Sequence, residues 1–225
     1  MKTKYFSFIA FLIFTVSAVI SQEKNVYSEE FNSSNSWPTG NNATRVLEVK
    51  NGKYYFEHKR DNKSWNVTTR DINLDTSKDF EIETSLQKIS GTKSYAFGLM
   101  FGTENADNTF QFVLSDNQYR ISKESSGEFV KIKSWTKSSS IKTNYYNYNK
   151  LKVKKKNNTI SFYINDTYLT QIPFQSFFGK KIGILVYNEQ KIAIDYLRVK
   201  QTGGNTTVVE NNTNTNNTFQ IAVIM

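Results

Sequence analysis

Cysteine is absent from this 225-residue chain, and histidine occurs once, as His58. The lack of cysteine excludes a disulfide framework, thiolate zinc sites, a cysteine nucleophile and a lipid-modified N-terminal cysteine. A single histidine excludes a metal site that needs two imidazoles from one chain. With two prolines and ten glycines, the chain is neither collagen-like nor a proline-rich fibre. Carboxylate, hydroxyl, amide, lysine and aromatic side chains remain, and these suit sugar binding better than redox or thiol chemistry.

The N-terminus has the pattern of a secretory signal over residues 1–21. Two lysines give a positive start, residues 6–14 are almost entirely apolar, and Ser21 offers a small residue for cleavage before Gln22. The alternative is a retained membrane anchor, but the apolar run is shorter than the ~20 residues that a span needs. Cleavage leaves 27 basic and 20 acidic residues, a net charge of +7. The sequence therefore predicts a secreted, periplasmic or cell-surface protein with no membrane span after cleavage.

Beyond the signal, apolar and polar residues alternate with a period near two, and 17 Phe, 13 Tyr and 3 Trp can build a core. Turn formers such as Asn51-Gly52 and Asn157-Asn158 separate the runs. About a dozen short strands at this spacing imply either a barrel or two antiparallel sheets packed face to face. We predict an all-β, two-sheet sandwich over residues 22–201. Its strand-like runs are residues 54–58, 80–86, 95–102, 110–114, 119–123, 129–135, 151–153, 160–164, 182–187 and 192–199.

The last stretch, residues 202–225, differs in composition from the rest. Asn and Thr dominate as far as Thr218, and such a segment cannot bury enough apolar area to order itself. Residues 219–225 are apolar again, which fits a docking strand, the stub of a longer product, or no function. The sequence predicts a disordered tail here.

Five segments carry a family resemblance. They are Tyr27-Ser28-Glu29-Glu30-Phe31 followed by Trp37, Asn51-Gly52-Lys53-Tyr54-Tyr55, residues 95–102, the pair 149–153 and 160–165, and the pair 181–187 and 194–199. In this order they resemble the strands of the concanavalin A-like jelly roll of legume lectins, laminin G-like modules and family-sixteen glucanases. The resemblance covers about residues 26–201 and implies a jelly-roll sandwich. It leaves function open, because this fold hosts many activities.

The resembled glucanases place catalytic carboxylates on one strand in a Glu-x-Asp-x-x-Glu or Glu-x-Asp-x-Glu run, which this sequence lacks. The matching strand is residues 108–114, whose inward polar candidate is the neutral Gln111. A retaining glycosidase needs carboxyl groups about 5–5.5 Å apart. Glu81 and Glu83 are the nearest pair in spacing, but we interpret them as a solvated face. His58 is interpreted as a surface residue without a partner for base catalysis. We predict no catalysis.

Sugar-binding sites combine aromatic rings that stack on pyranose faces with amides and carboxylates that hold hydroxyls. Trp65 lies in a polar stretch unusual for a core residue, and Trp135 ends a strand before a Ser/Lys-rich loop. The alternative is that both tryptophans fill or cap the core. Three tyrosines interleaved with asparagine predict an exposed, half-polar platform. The predicted carbohydrate-binding residues are Trp65, Trp135, Tyr145, Tyr146, Tyr148 and Gln111.

A row of lysines suggests the charge of the ligand. Lys150, Lys152, Lys154 and Lys156 alternate with other residues and project from one strand face, about 6.6–6.8 Å apart. Such a row could bind an anionic polysaccharide. The alternative, which we favour, is a solvated convex face whose lysines discourage edge pairing. Export makes nucleic acid an unsuitable partner.

The family resemblance also implies a structural calcium ion. In glucanases of this kind, calcium is bound by backbone carbonyls near the first strand and the next turn, plus an aspartate in the closing strand. Asp195 matches that aspartate, Gly52 matches the turn, and Glu29 or Glu30 lies near the first position. Oxygen ligands of this kind suit calcium. The alternative is that Asp195 bonds only to neighbouring backbone amides.

Together these features predict an exported, non-catalytic, lectin-like module that binds a glycan. One alternative is a divergent glycoside hydrolase with carboxylates supplied from loops. Another is an adhesion or scaffold domain that recognises protein, for which residues 219–225 would be a docking segment.

Overall fold

The computed structural model describes residues 23–33, 37–61 and 63–202, which contain fifteen β-strands and no helix. The strands are β1 (Glu23–Glu29), β2 (Gly40–Asn41), β3 (Arg45–Lys50), β4 (Lys53–His58), β5 (Trp65–Asp71), β6 (Phe80–Gly91), β7 (Phe97–Asn105), β8 (Asn108–Ser115), β9 (Gln118–Ser125), β10 (Glu128–Lys137), β11 (Tyr148–Lys156), β12 (Thr159–Ile164), β13 (Thr167–Pro173), β14 (Lys181–Tyr187) and β15 (Gln190–Thr202).

Two antiparallel sheets are built from these strands. The nine-stranded sheet has the order β13-β12-β11-β6-β15-β4-β3-β2, with β1 also paired to β15, and the six-stranded sheet has the order β10-β9-β8-β7-β14-β5. Neighbours in each sheet pair in antiparallel register. The predicted all-β, two-sheet antiparallel sandwich is confirmed.

The core lies between the sheets because alternate residues of each strand point inward. In β12, Ile160, Phe162 and Ile164 are buried while the residues between them are partly exposed. Phe112 of β8 meets Phe162 edge to face, with ring centroids 5.2 Å apart, so the two sheets interlock through aromatic rings. Each such buried side chain stabilises the fold by about 1.5–3 kcal/mol before the entropy of ordering is counted.

Several strands were not predicted as alternating runs, and their polarity explains why. β5 reads Trp-Asn-Val-Thr-Thr-Arg-Asp, so polar residues stand on both of its faces. β13 lies at the edge of the nine-stranded sheet and is mostly exposed, so it needs no continuous apolar face.

Two predictions concern terminal segments that lie outside the described residues. The predicted signal, residues 1–21, lies outside them, as does the predicted tail after Thr202, where β15 ends. In the part of the chain that the structure describes, no helix has the length and hydropathy needed to cross a bilayer.

Candidate functional site

The outer side of the six-stranded sheet, facing away from the core, carries a second apolar cluster. Met100 of β7, Val113 of β8 and Leu185 of β14 are fully buried there, with Trp65, Val67 and Tyr187 packed against them. Complete burial at the centre of an outer face means that side chains from the flanking strands cover it. We call this surface the recessed face, only because Met100, Val113 and Leu185 lie beneath other side chains on it; it is defined by Trp65, Gln111, Arg120, Glu124, Phe129, Lys131, Trp135 and Tyr187.

Strand register brings these residues together. Trp65 of β5 pairs directly with Tyr187 of β14, and their rings stack with centroids 6.3 Å apart. On the other side of the sheet centre, Gln111, Ser122 and Lys131 form one row across β8, β9 and β10. Directly paired residues place their side chains on the same face of a sheet. The recessed face therefore runs across the whole six-stranded sheet.

Arg120 of β9 is the central cation of the recessed face. Its guanidinium carbon lies 4.8 Å from the ring centroid of Phe129 and 4.9 Å from that of Trp135. Both rings come from β10, where two register shifts reorient the strand. Nη2 donates a hydrogen bond to Tyr187 Oη at 3.3 Å, whereas Nε is buried without a partner. Cation–π contacts of this kind orient the guanidinium and stiffen the cluster.

Gln111 is the central amide of the recessed face and is 0% exposed. Its Oε1 accepts hydrogen bonds from Tyr187 Oη at 3.0 Å and from Ser122 Oγ at 3.4 Å. The amide also faces Glu124, but no hydrogen bond of ordinary geometry forms, so Nε2 is left without a partner. Burial raises the pKa of the Glu124 carboxyl, and the positive charge of Arg120 partly offsets that rise.

Three of the predicted binding residues converge on the recessed face: Trp65, Gln111 and Trp135. Trp65 is half-buried and Trp135 is 38% exposed, so neither is a fully buried core residue. The third tryptophan, Trp37, does belong to the core, where it packs against Phe31 and Tyr54. The position of Trp65, Gln111 and Trp135 does not test their role in binding, which stays a prediction.

The predicted tyrosine platform lies elsewhere. Tyr148 begins β11 in the nine-stranded sheet and accepts a hydrogen bond from Gln87 Nε2 at 3.2 Å. Tyr145 donates to the carbonyl of Gly91 at 2.7 Å, and Tyr146 is 65% exposed in the segment before β11. These tyrosines and the two tryptophans of the recessed face therefore belong to different surfaces.

Sequence reasoning missed Arg120, Tyr187 and Phe129. Arg120 stands between the buried Tyr119 and Ile121, which indicates an outward position in β9 but gives no sign of its aromatic neighbours. One feature of the sequence could have indicated this face: both faces of β7 and of β14 are apolar. Strands buried on both sides indicate that the outer face is also covered.

The predicted lysine row does project from one face, the outer side of the nine-stranded sheet, but carboxylates already pair with it. Lys152 Nζ lies 2.9 Å from Glu83 Oε2 and 3.2 Å from Glu81 Oε1. Lys150 Nζ lies 2.6 Å from Asp166 Oδ2. Glu81 and Glu83 thus line an ion-pair network, which supports the structural interpretation of both the lysines and the glutamates.

The prediction that His58 is a surface residue is wrong. His58 is 1% exposed, because it continues the inward face of Tyr54 and Phe56 in β4. Its Nδ1 lies 3.1 Å from the carbonyl oxygen of Asn188, and burial lowers the pKa of the imidazole. It also lines a polar cavity of about 300 Å³ together with Glu57 and Gln190.

The predicted calcium ligands fit the ion unequally. Asp195 lies in β15 where the register shifts between Ile194 and Tyr196, next to Lys53 and so beside the turn at Gly52. Glu30 does not fit a calcium ligand, because Arg198 donates to both of its carboxylate oxygens at 2.6 Å. Within the described ranges, no three acidic or histidine side chains gather as a metal site would require. Calcium stays a prediction that rests on Asp195 and backbone carbonyls.

Comparisons with known proteins identify the fold. No family matches this sequence, and no curated protein matches it. The chain is similar in structure to the endo-β-1,3-glucanase of Pyrococcus furiosus (TM-score 0.56, 12% identity, 84% of this chain and 99% of that chain). It is also similar to the catalytic domain of a laminarinase from Thermotoga petrophila (0.54, 12%, 82% and 100%). A Bacillus subtilis protein of unknown function with a galectin-like fold is similar as well, with a TM-score of 0.56 and 11% identity over 81% of this chain and 99% of that chain.

These likenesses confirm the concanavalin A-like jelly-roll sandwich that the sequence predicts. At 11–12% identity they establish the fold and nothing about this chain's ligand.

Proposed function

We propose that this chain is an exported, non-catalytic module that binds carbohydrate on the recessed face. The observation that carries the proposal is the meeting of partly exposed aromatic rings with polar side chains at one place. Phe129 and Trp135 are 46% and 38% exposed, both rings lie against the Arg120 guanidinium, and Gln111 lies on the same face of the sheet. Sugars need this combination, because their C–H faces stack on rings while their hydroxyls exchange hydrogen bonds.

The structural neighbours support a glycan as the ligand class. Two of them are named as endo-1,3-β-glucanases, enzymes that act on a polysaccharide. Export, which rests on the N-terminal sequence pattern, places the chain where polysaccharides are common.

Binding to a panel of immobilised polysaccharides tests the proposal. We expect Trp135→Ala to weaken binding by about tenfold or more, because an aromatic anchor at the centre of an interface is typically worth at least 1.4 kcal/mol. Tyr168→Ala is the matched control, since Tyr168 is also an exposed aromatic residue, 52% exposed against 38% for Trp135, but lies on β13 of the other sheet. Tyr146→Ala tests the tyrosine platform separately.

The outcomes of this experiment are distinct. Loss of binding in Tyr146→Ala but not in Trp135→Ala would move the site to the tyrosine platform. Failure to bind any polysaccharide in the panel would contradict the proposal and favour the adhesion-domain alternative.

The hydrolase alternative has one specific candidate group. Glu124 lies on the recessed face, and burial raises the pKa of its carboxyl, as a general acid requires. A retaining glycosidase needs a second carboxylate about 5–5.5 Å away. We expect no release of reducing ends from any bound polysaccharide. Release that disappears in Glu124→Gln would establish the hydrolase instead.

A further inference from the structure

The guanidinium of Arg120 forms no ion pair among the described residues, although its positive charge acts on the Glu124 carboxyl of the same face. Its single hydrogen bond there goes to the neutral Tyr187 hydroxyl, and no carboxylate lies within 4.0 Å of it. Arg198 shows the contrast, because Glu30 accepts from both Nε and Nη2 of its guanidinium. An arginine presents a planar fork that matches a carboxylate or a sulfate, so an unpaired one on a ligand face points to such a group.

We propose that the glycan bound by the recessed face is acidic, and that Arg120 binds its carboxylate or sulfate group. This inference rests on the proposed function and names its ligand class. Uronate carboxylates and sulfate esters share the chemistry that the arginine fork recognises, a compact anion with several acceptor oxygens.

A second observation points the same way. The unpartnered buried atoms on the recessed face are Arg120 Nε and Gln111 Nε2, and both are hydrogen-bond donors. Gln111 is completely buried, and an unpaired buried donor is unfavourable until an acceptor reaches it. A ligand rich in acceptor oxygens satisfies both atoms. Both atoms are covered in the unliganded protein, so a ligand reaches them only if the exposed rings of Phe129 and Trp135, on the edge strand β10, move aside.

The charges around Arg120 also favour an anion. Lys131 is exposed and occupies the same row as Gln111 and Ser122, and no carboxylate pairs with it in the described part of the chain. Glu124 is an opposing charge on this face; burial raises the pKa of its carboxyl, and the positive charge of Arg120 partly offsets that rise. By contrast, Glu81, Glu83 and Asp166 pair with Lys150, Lys152 and Lys154 on the other sheet.

The test measures binding of the full exported chain to three soluble polysaccharides: polygalacturonate, dextran sulfate and a neutral β-1,3-glucan. We expect at least one acidic polymer to bind, and binding to weaken as salt rises from 50 to 500 mM, because screening shortens the range of charge interactions. Preference between the two acidic polymers distinguishes a uronate ligand from a sulfated one.

Variants assign the effect to the recessed face. We expect Arg120→Gln to weaken acidic binding by about tenfold or more, and Arg120→Lys to restore only part of it, because lysine keeps the charge but loses the fork. Lys131→Gln should weaken binding by about two- to fivefold. Lys131 is exposed, so the Lys131→Gln variant should fold like the parent. Lys133→Gln is the control, since Lys133 lies on the same strand as Lys131 but pairs with Ile121 of β9, whose side chain is buried in the core.

Glu124→Gln separates an acidic ligand from a neutral one. Removal of this carboxylate should strengthen acidic binding relative to neutral binding, because it repels an anionic ligand and not a neutral one. The acidic ligand is refuted, and the proposed function stands, under three joint results. The neutral glucan binds, Trp135→Ala abolishes that binding, and Arg120→Gln does not alter it. If no polymer binds, the proposed function itself fails. Equal losses in Lys131→Gln and Lys133→Gln would indicate non-specific charge attraction and also refute the proposal.

Discussion

At the scale of single residues, Gly98 shows how closely the strands under the recessed face approach each other. A Cβ atom at this position would lie 2.3 Å from the carbonyl oxygen of Phe112 and 2.8 Å from the Cα atom of Val113. Both atoms belong to the backbone of β8, so no side-chain rotation can relieve the contact. Glycine is therefore required where β7 passes β8 beside Val113.

We expect Gly98→Ala to lower the free energy of unfolding by about 1–3 kcal/mol, because β7 and β8 must separate to admit the methyl group. Chemical denaturation with urea measures this loss. Ser139→Ala, in the exposed segment after β10, is the control and should change stability by less than about 0.5 kcal/mol. A Gly98→Ala variant as stable as the parent would show that the strands are not in such close contact.

At the scale of elements, the pairing of β11 with β6 depends on an alternating row of charges. The register places Lys152 opposite Glu83 and Lys154 opposite Glu81. Burial alone would lower the pKa of Lys152, but the carboxylates of Glu83 and Glu81 raise it overall. Opposite charges on directly paired residues stabilise a sheet, and removal of the shared cation leaves two partly buried glutamates facing each other.

We expect Lys152→Ala to lower stability by about 1–2 kcal/mol, and Lys154→Ala, whose ammonium is more exposed, by less than about 0.5 kcal/mol. Because the folded-state pKa of Lys152 is raised, its stabilisation is fully present below the unfolded value near 10.5. It is lost as the pH rises above that value. In thermal unfolding, the difference in melting temperature between the parent and Lys152→Ala should therefore become smaller above about pH 10.5. A gap that widens there would contradict this assignment.

The same elements show what a sequence can predict and where prediction stops. Strands such as β4, β8 and β12 were predicted because one face must be apolar to form the core. Trp65 and Trp135 stood out because large aromatic residues in polar surroundings are unusual. Arg120 could not be placed against Phe129 and Trp135, because those contacts depend on the register shifts of β10. His58 alternates in phase with the buried Tyr54 and Phe56, so its burial was predictable, but its carbonyl partner at Asn188 is distant in sequence and was not.

At the scale of the whole molecule, the two outer faces differ in how their charges are satisfied. On the nine-stranded sheet, lysines and carboxylates neutralise each other across strands, which suits a stable, solvated surface. On the six-stranded sheet, Arg120 and Lys131 have no carboxylate partner among the described residues, and aromatic rings surround the guanidinium. This difference is consistent with the proposed binding role of the six-stranded sheet.

The two ends of the described chain meet in the fold, and this pairing makes the whole sandwich dependent on its first strand. β1 pairs with the second half of β15, from Glu23 opposite Thr202 to Glu29 opposite Leu197. Tyr27 packs against the core and its hydroxyl accepts a hydrogen bond from Trp37 Nε1 at 2.7 Å. Without β1, this half of β15 would lose a hydrogen-bonding partner and Trp37 would keep a buried, unpaired N–H group.

We therefore expect a chain that begins at Gln22 to unfold cooperatively, and a chain that begins at Glu30 to have a melting temperature lower by about 10 °C or more. Tyr27→Phe removes only the hydrogen bond to Trp37 and should lower the melting temperature by a few degrees. Thermal unfolding followed by circular dichroism and by tryptophan fluorescence compares the three proteins. If the chain without β1 melted at the same temperature as the chain with it, the pairing of β1 with β15 in the nine-stranded sheet would contribute nothing measurable to stability.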